Sequence, residues 1–106
     1  MTAKEFLYNL KTTVDPASLE NKETKFHFDL EGEGGGAYTV NIKNGSLDIT
    51  EGMDGEANCK VTAKAENFMK VIRGELKPLN ALLFGKVKVS NQAELIKYAK
   101  VFGLMK

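Results

Sequence analysis

His27 and Cys59 are the two side chains in this sequence best suited to nucleophilic or acid–base chemistry at neutral pH. The chain has one histidine and one cysteine, so a catalytic pair of these types would have to combine them. His27 lies between two phenylalanines in an alternating stretch, which predicts a strand position that faces away from the core and is exposed. Cys59 alternates with small apolar residues, which predicts a buried thiol. The two side chains are therefore predicted to face opposite ways, and no nucleophile is indicated.

Two loop segments could in principle hold a phosphate or a metal ion. The glycines of EGEGGG, residues 31–36, join two predicted strands and have two glutamates beside them. A phosphate-binding loop instead presents backbone N–H groups at a helix N-terminus. The carboxylates around the next loop do not follow the spacing of a calcium-binding EF-hand, and they are Asp48, Glu51, Asp54 and Glu56. We predict no metal, no cofactor and no enzymatic activity.

The composition excludes several further classes of function. The chain has 106 residues with 15 basic and 14 acidic side chains, so it lacks the strong positive charge of a nucleic-acid-binding domain. Its single cysteine excludes an internal disulfide framework. No run approaches the ~18 apolar residues of a membrane span. We expect a soluble cytoplasmic protein with one domain over residues 1–106.

The first half of the sequence predicts one helix and three strands. Thr2 and Glu5 have the spacing of a capping box, and apolar residues then recur at helical spacing until Pro16. A short helical turn is predicted over residues 16–20. From Lys25 the apolar period becomes two, and the Asn44-Gly45 pair predicts a type I′ hairpin turn. Residues 25–50 therefore predict an antiparallel meander.

The second half predicts a strand, two helices, a strand and a final helix. The strand contains Cys59, and the first of these helices ends at Gly74. A short helix follows from Pro78 to just before Gly85, and residues 86–89 alternate as a fifth strand. The final helix has Asn91 as its N-cap and continues to residue 103. This order predicts the α+β class, with a five-stranded sheet and helices on one face.

The short helix that begins at Pro78 has more apolar surface than one flat contact can bury. At about 100° per residue, Leu79, Leu82 and Leu83 fall within a normal core-facing stripe, but Phe84 lies outside it. The second half of the final helix is also apolar nearly all round. A dense core, an internal ligand cavity, and an apolar dimer or membrane contact all remain open on this pattern.

One stretch of the chain resembles the central part of the sterol carrier protein type-two domain family. It is NCKVTAKAENFMKVIRGELKPLNALLFGKVKVSN, residues 58–91. The family pattern leads from an apolar strand into a helix with an Asn-Phe unit, then through a Gly-x-Leu-x-Pro break and an apolar pair to a GK-apolar-K-apolar strand. The matching residues are Asn67-Phe68, Gly74 with Leu76 and Pro78, Leu82-Leu83 and residues 85–89. Phe84 stands where the family usually has a polar residue.

The resemblance covers nearly the whole chain and implies a lipid-binding module. Members of this family hold fatty acids, acyl-CoA esters or sterols in an apolar tunnel between the sheet and the helices. They move these ligands between membranes or present them to enzymes. The resemblance also implies the strand order 3-2-1-4-5 in a predominantly antiparallel sheet.

A dry, empty tunnel would be expensive for so small a domain. About 300 Å³ of cavity at ~24 cal/mol per Å³ would cost roughly 7 kcal/mol. The net stability of a domain is typically only about 5–15 kcal/mol. We therefore expect the ligand-free tunnel to collapse in part, to admit water or to borrow side chains from a partner.

The predicted tunnel wall consists of apolar positions in the last three helices and the segments that join them. These are Phe68, Val71, Ile72, Leu76, Leu79, Leu82, Leu83, Tyr98, Ala99 and Phe102. Phe84 and Met105 are predicted at the tunnel mouth or at a contact surface.

The function predicted from these residues is non-enzymatic lipid binding or transfer inside the cell. Its expected partner is a fatty acid, an acyl-CoA or a sterol-like ligand, with transient membrane contact and no nucleic acid. One alternative is an interaction domain that forms a homodimer or docks on a partner enzyme. Another is a thioesterase-like enzyme that would use Cys59 as its nucleophile.

Overall fold

A five-stranded sheet is the frame of the fold, which the computed structural model describes for residues 1–102. Its strands are β1 (Thr24–Glu31), β2 (Gly36–Lys43), β3 (Ser46–Glu51), β4 (Cys59–Lys64) and β5 (Val87–Val89). They lie in the order β3-β2-β1-β4-β5. The β1–β4 pair is parallel, and the other pairs are antiparallel. The predicted α+β class, the strand order and the mostly antiparallel sheet are confirmed.

Helices accompany the sheet in the predicted chain order. They are α1 (Ala3–Thr13), a short 3-10 helix (Pro16–Leu19), α2 (Ala65–Ile72), α3 (Pro78–Leu83) and α4 (Gln92–Lys97). The predicted capping box of α1 is present, since Glu5 N–H donates to Thr2 Oγ1 at 3.1 Å and Thr2 N–H donates to Glu5 Oε1 at 3.0 Å. Asn44 and Gly45 both have positive φ, as a type I′ hairpin requires. These local predictions are confirmed.

Aromatic rings join the sheet to the helices at the centre of the core. Phe26 and Phe28 on β1 face the helices, and the Phe102 ring lies 4.9 Å from that of Phe26 and 5.4 Å from that of Phe28. Phe68 of α2 packs edge-on against Phe28 at 5.7 Å. Alternation along β1 and helical spacing along α2 place these rings on facing sides, so the elements bury one another.

His27 corrects an expectation, because it is buried on the opposite face of the sheet. Only 8% of its surface is exposed. The connection between β3 and β4 crosses this face, and His27 Nε2 lies 3.0 Å from the Asp54 carbonyl oxygen. Thr39, directly opposite His27 in the sheet, donates to the Gly52 carbonyl at 2.7 Å. The prediction of an exposed histidine was wrong because it treated the outer face of β1 as open to solvent.

The final helix is shorter than predicted within the described residues. Asn91 caps α4 as expected, since its Oδ1 accepts from Glu94 N–H at 3.1 Å. The regular helix ends at Lys97, and turns follow through Phe102. The segment after α4 contains Tyr, Val and Phe, which have only moderate helix propensity. These turns bury Tyr98 and Phe102 together in the core.

Candidate functional site

An apolar cavity lies between the sheet and the last three helices. All ten residues that line it are apolar: Phe28, Val61, Phe68, Val71, Pro78, Ala81, Leu82, Val87, Leu95 and Phe102. The space between their atoms is about 430 Å³, part of it open to solvent. A cavity with this lining can hold a hydrocarbon chain but has no side-chain group for acid–base or nucleophilic chemistry.

Each wall of the cavity follows from a simple sequence pattern. Phe28 on β1 and Val61 on β4 are paired in register on neighbouring parallel strands, so their side chains lie side by side on the same face of the sheet. Phe68 and Val71 are three residues apart on α2 and therefore lie on one side of it. The β5 residue Val87 pairs with Ala63 and closes the sheet side of the cavity.

The third wall is α3, and the orientation of this helix decides which of its residues reach the cavity. Pro78, Ala81 and Leu82 fall within an arc of about 100° and line the cavity. Leu79 and Leu83 lie on the other side, and each is 77% exposed. Our prediction that both leucines belong to a core-facing stripe was wrong. Ala81 is fully buried and takes the inward position, which turns the two leucines towards solvent.

The cavity is narrow in this ligand-free structure. The part of it wide enough for the centre of a water-sized molecule is about 40 Å³. At ~24 cal/mol per Å³ a void of that size costs about 1 kcal/mol, which a small domain can tolerate. A long hydrocarbon chain would therefore have to push the walls apart on entry.

Four of the predicted wall residues line this cavity, and they are Phe68, Val71, Leu82 and Phe102. Tyr98 and Ala99 are buried in the core without lining it, and Ile72 and Leu76 are half-buried. Leu79, Leu83 and Phe84 are exposed. Met105 lies outside the described residues. A ligand-binding role for each of these positions stays a prediction.

Sequence reasoning missed six cavity-lining residues: Phe28, Val61, Pro78, Ala81, Val87 and Leu95. Phe28 and Val61 occupy apolar positions of alternating strands, and this alternation is the sequence signal that they face inward. Core residues and cavity-lining residues have the same apolar chemistry, so the sequence cannot separate them. Ala81 was missed because one alanine contributes little apolar surface beside the leucines of the same helix.

His27 and Cys59, the two side chains best suited to chemistry, and the buried Tyr98 all lie outside the cavity lining. Cys59 is fully buried, burial raises the pKa of its thiol, and its Sγ donates to the Asn91 carbonyl at 3.4 Å. Burial also raises the pKa of Tyr98, and its hydroxyl has no hydrogen-bond partner among residues 1–102. A thiol that stays protonated is a poor nucleophile. This environment gives no support to a cysteine-dependent thioesterase.

Two further features of the described chain bear on function. Within residues 1–102, no group of three or more His, Cys, Asp or Glu side chains is placed to hold a metal ion. Over the same residues, no helix has the length and apolar character needed to cross a membrane.

Residues 4–102 match the SCP-2 sterol transfer family. The chain belongs to this family. Membership confirms the resemblance carried by residues 58–91, and it supports lipid binding or transfer in general.

Relatives of this SCP-2 family chain include much longer proteins. The human hydroxysteroid dehydrogenase-like protein 2 is 33% identical over 99 residues, which are 91% of this chain and 23% of that protein. The chain thus spans about a quarter of the length of the curated relative that it matches. In the relative, a region like this one is joined to other sequence.

Solved structures show the same fold both alone and within larger enzymes. The palmitated SCP2L2 of Aedes aegypti has a TM-score of 0.71 and 25% identity, with 96% of this SCP-2 chain and 95% of that chain covered. The sec-alkylsulfatase Pisa1 of Pseudomonas sp. has a TM-score of 0.80 and 19% identity, with all of this chain and 16% of that chain covered. The second likeness is one of fold alone.

Proposed function

We propose that this chain binds the hydrocarbon part of a lipid in the apolar cavity and releases it unchanged. The observation that carries the proposal is the all-apolar lining between α2, α3 and the sheet. The palmitated structure of the Aedes aegypti relative supports an acyl chain as the ligand. The hydrocarbon chain of a fatty acid or an acyl-CoA suits this apolar lining, and a rigid sterol would need the walls to move further apart than a flexible chain does.

The energetics favour moderate, reversible binding. A sixteen-carbon chain recovers roughly 12 kcal/mol gross at ~0.8 kcal/mol per buried CH₂ group. Association, ordering of the flexible chain and widening of the cavity offset much of this gain. Dissociation constants in the micromolar range follow, and they suit a carrier that must also release its ligand.

Helix α3 is the wall that we expect to move when the ligand enters. Of its six residues only Ala81 is buried. Its N-cap Lys77 makes no side-chain capping bond, and Gly85 after it has a φ of 70°. A short helix with one buried residue and a glycine hinge position can shift outward at lower cost than α2, which buries four residues.

The released lipid would pass to a membrane or to an enzyme. Transfer to a membrane requires transient contact with a bilayer. Presentation to a catalytic domain is a second candidate, favoured because the human relative and the Pseudomonas sulfatase are several times longer than this chain. The cytoplasmic location expected from the sequence stays a prediction.

Calorimetric titration with palmitic acid tests the proposal. Wild type should bind one molecule, and Ala81→Phe should lose at least tenfold in affinity because the new ring occupies the cavity. Asn80→Phe adds the same ring to the exposed neighbouring position and should bind like wild type. Wild type that binds no palmitic acid, or an Ala81→Phe variant that is folded and binds normally, would contradict the cavity as the site.

A further inference from the structure

Three large apolar side chains form the outer face of α3. Leu79 and Leu83 are each 77% exposed, and Phe84 is 69% exposed. Leu79 and Leu83 are one helical turn apart and lie on the same side of α3. Phe84 is the C-cap residue that follows Leu83 at the end of the helix. Contiguous exposed apolar surface on a small domain usually marks a contact site. We call Leu79, Leu83 and Phe84 the α3 outer face.

Lysines flank this face in the sequence, and acidic residues are absent from its part of the sequence. Residues 76–93 contain no Asp or Glu. Lys77 precedes α3 and Lys86 follows it, and both are exposed. Lys86 also borders a shallow concavity with Lys64, Lys88 and the carboxylate of Glu31. Among residues 1–102, none of these four lysines has a carboxylate oxygen within 4.0 Å. They are available for an anionic partner.

The same segregation of charge extends over the described chain. Eleven of the 14 acidic residues lie before residue 57, and nine of the 15 basic residues lie within residues 57–102. Lys4 pairs with Glu51 at 2.8 Å and Lys11 pairs with Asp48 at 3.5 Å. Two basic residues of the second half are also paired, Lys70 with Glu66 and Arg73 with Glu75. A near-neutral net charge therefore conceals a net positive charge in residues 57–102, which include α3.

We propose that the α3 outer face docks on an anionic lipid bilayer. Its apolar side chains would lie at the level of the headgroups, and Lys77 and Lys86 would lie above the phosphates. Interfacial binding combines apolar burial with attraction to anionic lipids, and both contributions meet on this face. The inference rests on the proposed function, because docking would serve lipid transfer only if the cavity lined by the inner face of the same helix holds the lipid. Docking would thus place the movable wall against the membrane.

The charges argue for a bilayer rather than a second copy of this chain. A two-fold symmetric dimer through α3 would bring Lys77 and Lys86 of both copies together, and like charges repel. Three side chains are also few for a stable protein interface, which usually buries about 800 Å² on each partner. A bilayer needs no matching surface of its own.

Tryptophan fluorescence tests the docking, because the chain contains no tryptophan. Phe84→Trp places one reporter on the α3 outer face. Met53→Trp is the matched control, since Met53 is also exposed, at 39%, but lies in the acidic β3–β4 connection. With vesicles of phosphatidylcholine and phosphatidylserine, emission of Phe84→Trp should shift to the blue and that of Met53→Trp should not. Pure phosphatidylcholine vesicles should give a much weaker shift.

Co-sedimentation with the same vesicles measures the two contributions separately. Leu79→Gln combined with Leu83→Gln should reduce partition by roughly tenfold. Lys77→Gln and Lys86→Gln should each reduce it about fivefold, and added salt should act in the same direction. Unchanged melting temperatures would show that these variants are folded.

Several outcomes would overturn the docking. One is the absence of a shift in Phe84→Trp with anionic vesicles, and another is an equal shift with neutral ones. Blue-shifted emission of Phe84→Trp without vesicles would show that the face is already covered. A shift that is constant with protein concentration would indicate cover by the same chain, and a shift that rises with concentration would indicate a second copy. Wild type that binds anionic vesicles but no palmitic acid in solution would contradict the proposed function and leave the docking in place.

Discussion

Helices α1 and α3 lie over opposite edges of one sheet and treat their apolar residues in opposite ways. α1 contacts the edge strand β3, and α3 contacts the edge strand β5. α1 buries Ala3, Leu7 and Leu10 and exposes polar residues. α3 buries Ala81 and exposes both Leu79 and Leu83. Five of the eleven residues of α1 and four of the six residues of α3 are apolar, but only α3 leaves leucines mostly exposed.

Their polar groups differ in the same way. α1 has a complete capping box, and Lys4 and Lys11 pair with the carboxylates of Glu51 and Asp48 on β3. α3 has no side-chain cap, and the lysines on either side of it have no carboxylate partner among the described residues. The contrast indicates that α1 serves stability, and it supports the proposals that α3 contacts a ligand on its inner face and a bilayer on its outer face.

The largest expected difference between the two helices is the change in the free energy of unfolding when a leucine is truncated to alanine. Leu7→Ala should lower the free energy of unfolding by about 3 kcal/mol, because Leu7 is fully buried and its removal leaves a cavity. Leu83→Ala should change it by less than ~0.5 kcal/mol, because its side chain is mostly in water. Urea denaturation of the two variants measures both values. Equal losses would remove the distinction between the helices.

Ligand binding should separate the helices next. Palmitic acid at 100 times its dissociation constant should raise the free energy of unfolding by about 2.7 kcal/mol. Hydrogen exchange at short times should slow in α3, whose inner face lines the cavity, and stay unchanged in α1, which does not touch it. Mass spectrometry of peptides from each helix measures the exchange. Protection confined to α1 would contradict the assignment of the movable wall.

The helix caps should give a smaller contrast. Thr2→Ala removes the side-chain acceptor of the capping box and should cost about 1 kcal/mol. Lys77→Ala changes the N-cap of α3, where no side-chain capping bond exists, and should have little effect on stability. Thermal melting of the two variants compares them. A larger loss of stability for Lys77→Ala than for Thr2→Ala would show that Lys77 stabilises the fold through an interaction other than capping.

Acid should weaken the α1 side slightly. The hydrogen bond and charge of Lys4 lower the pKa of Glu51 in the folded state. A carboxyl whose folded pKa is depressed contributes stability above its unfolded pKa, near pH 4, and loses it as pH falls through the folded value. Glu51→Gln should therefore show a shallower fall in melting temperature below pH 5 than wild type. The effect is small because the pair is exposed.

The parts of the fold that depend on local patterns could be predicted from the sequence. The capping box at Thr2, the Asn44-Gly45 turn and the strand alternation around Phe28 involve residues close in the chain, so their chemistry can be recognised directly. The burial of His27 could not be predicted in this way. It depends on the path of the β3–β4 connection across the sheet, which no spacing within β1 encodes.

The candidate site was predictable in outline only. The excess of apolar residues near Pro78 indicated a chamber or contact surface. The structure places a cavity on the inner side of α3 and exposed apolar side chains on its outer side. Which leucines face inward could not be predicted, because a helix that is apolar on nearly every side has no preferred face. Core packing does not explain Phe84, which is exposed two residues before Lys86, and the proposed bilayer docking would give it a role.

The most direct test of the cavity is a set of intermolecular nuclear Overhauser contacts between carbon-13-labelled palmitic acid and the protein. The account predicts contacts from the acyl chain to Phe68, Ala81 and Phe102, which line the cavity. Contacts confined to Leu79, Leu83 and Phe84 would place the lipid on the outer surface of α3 and contradict an internal binding site.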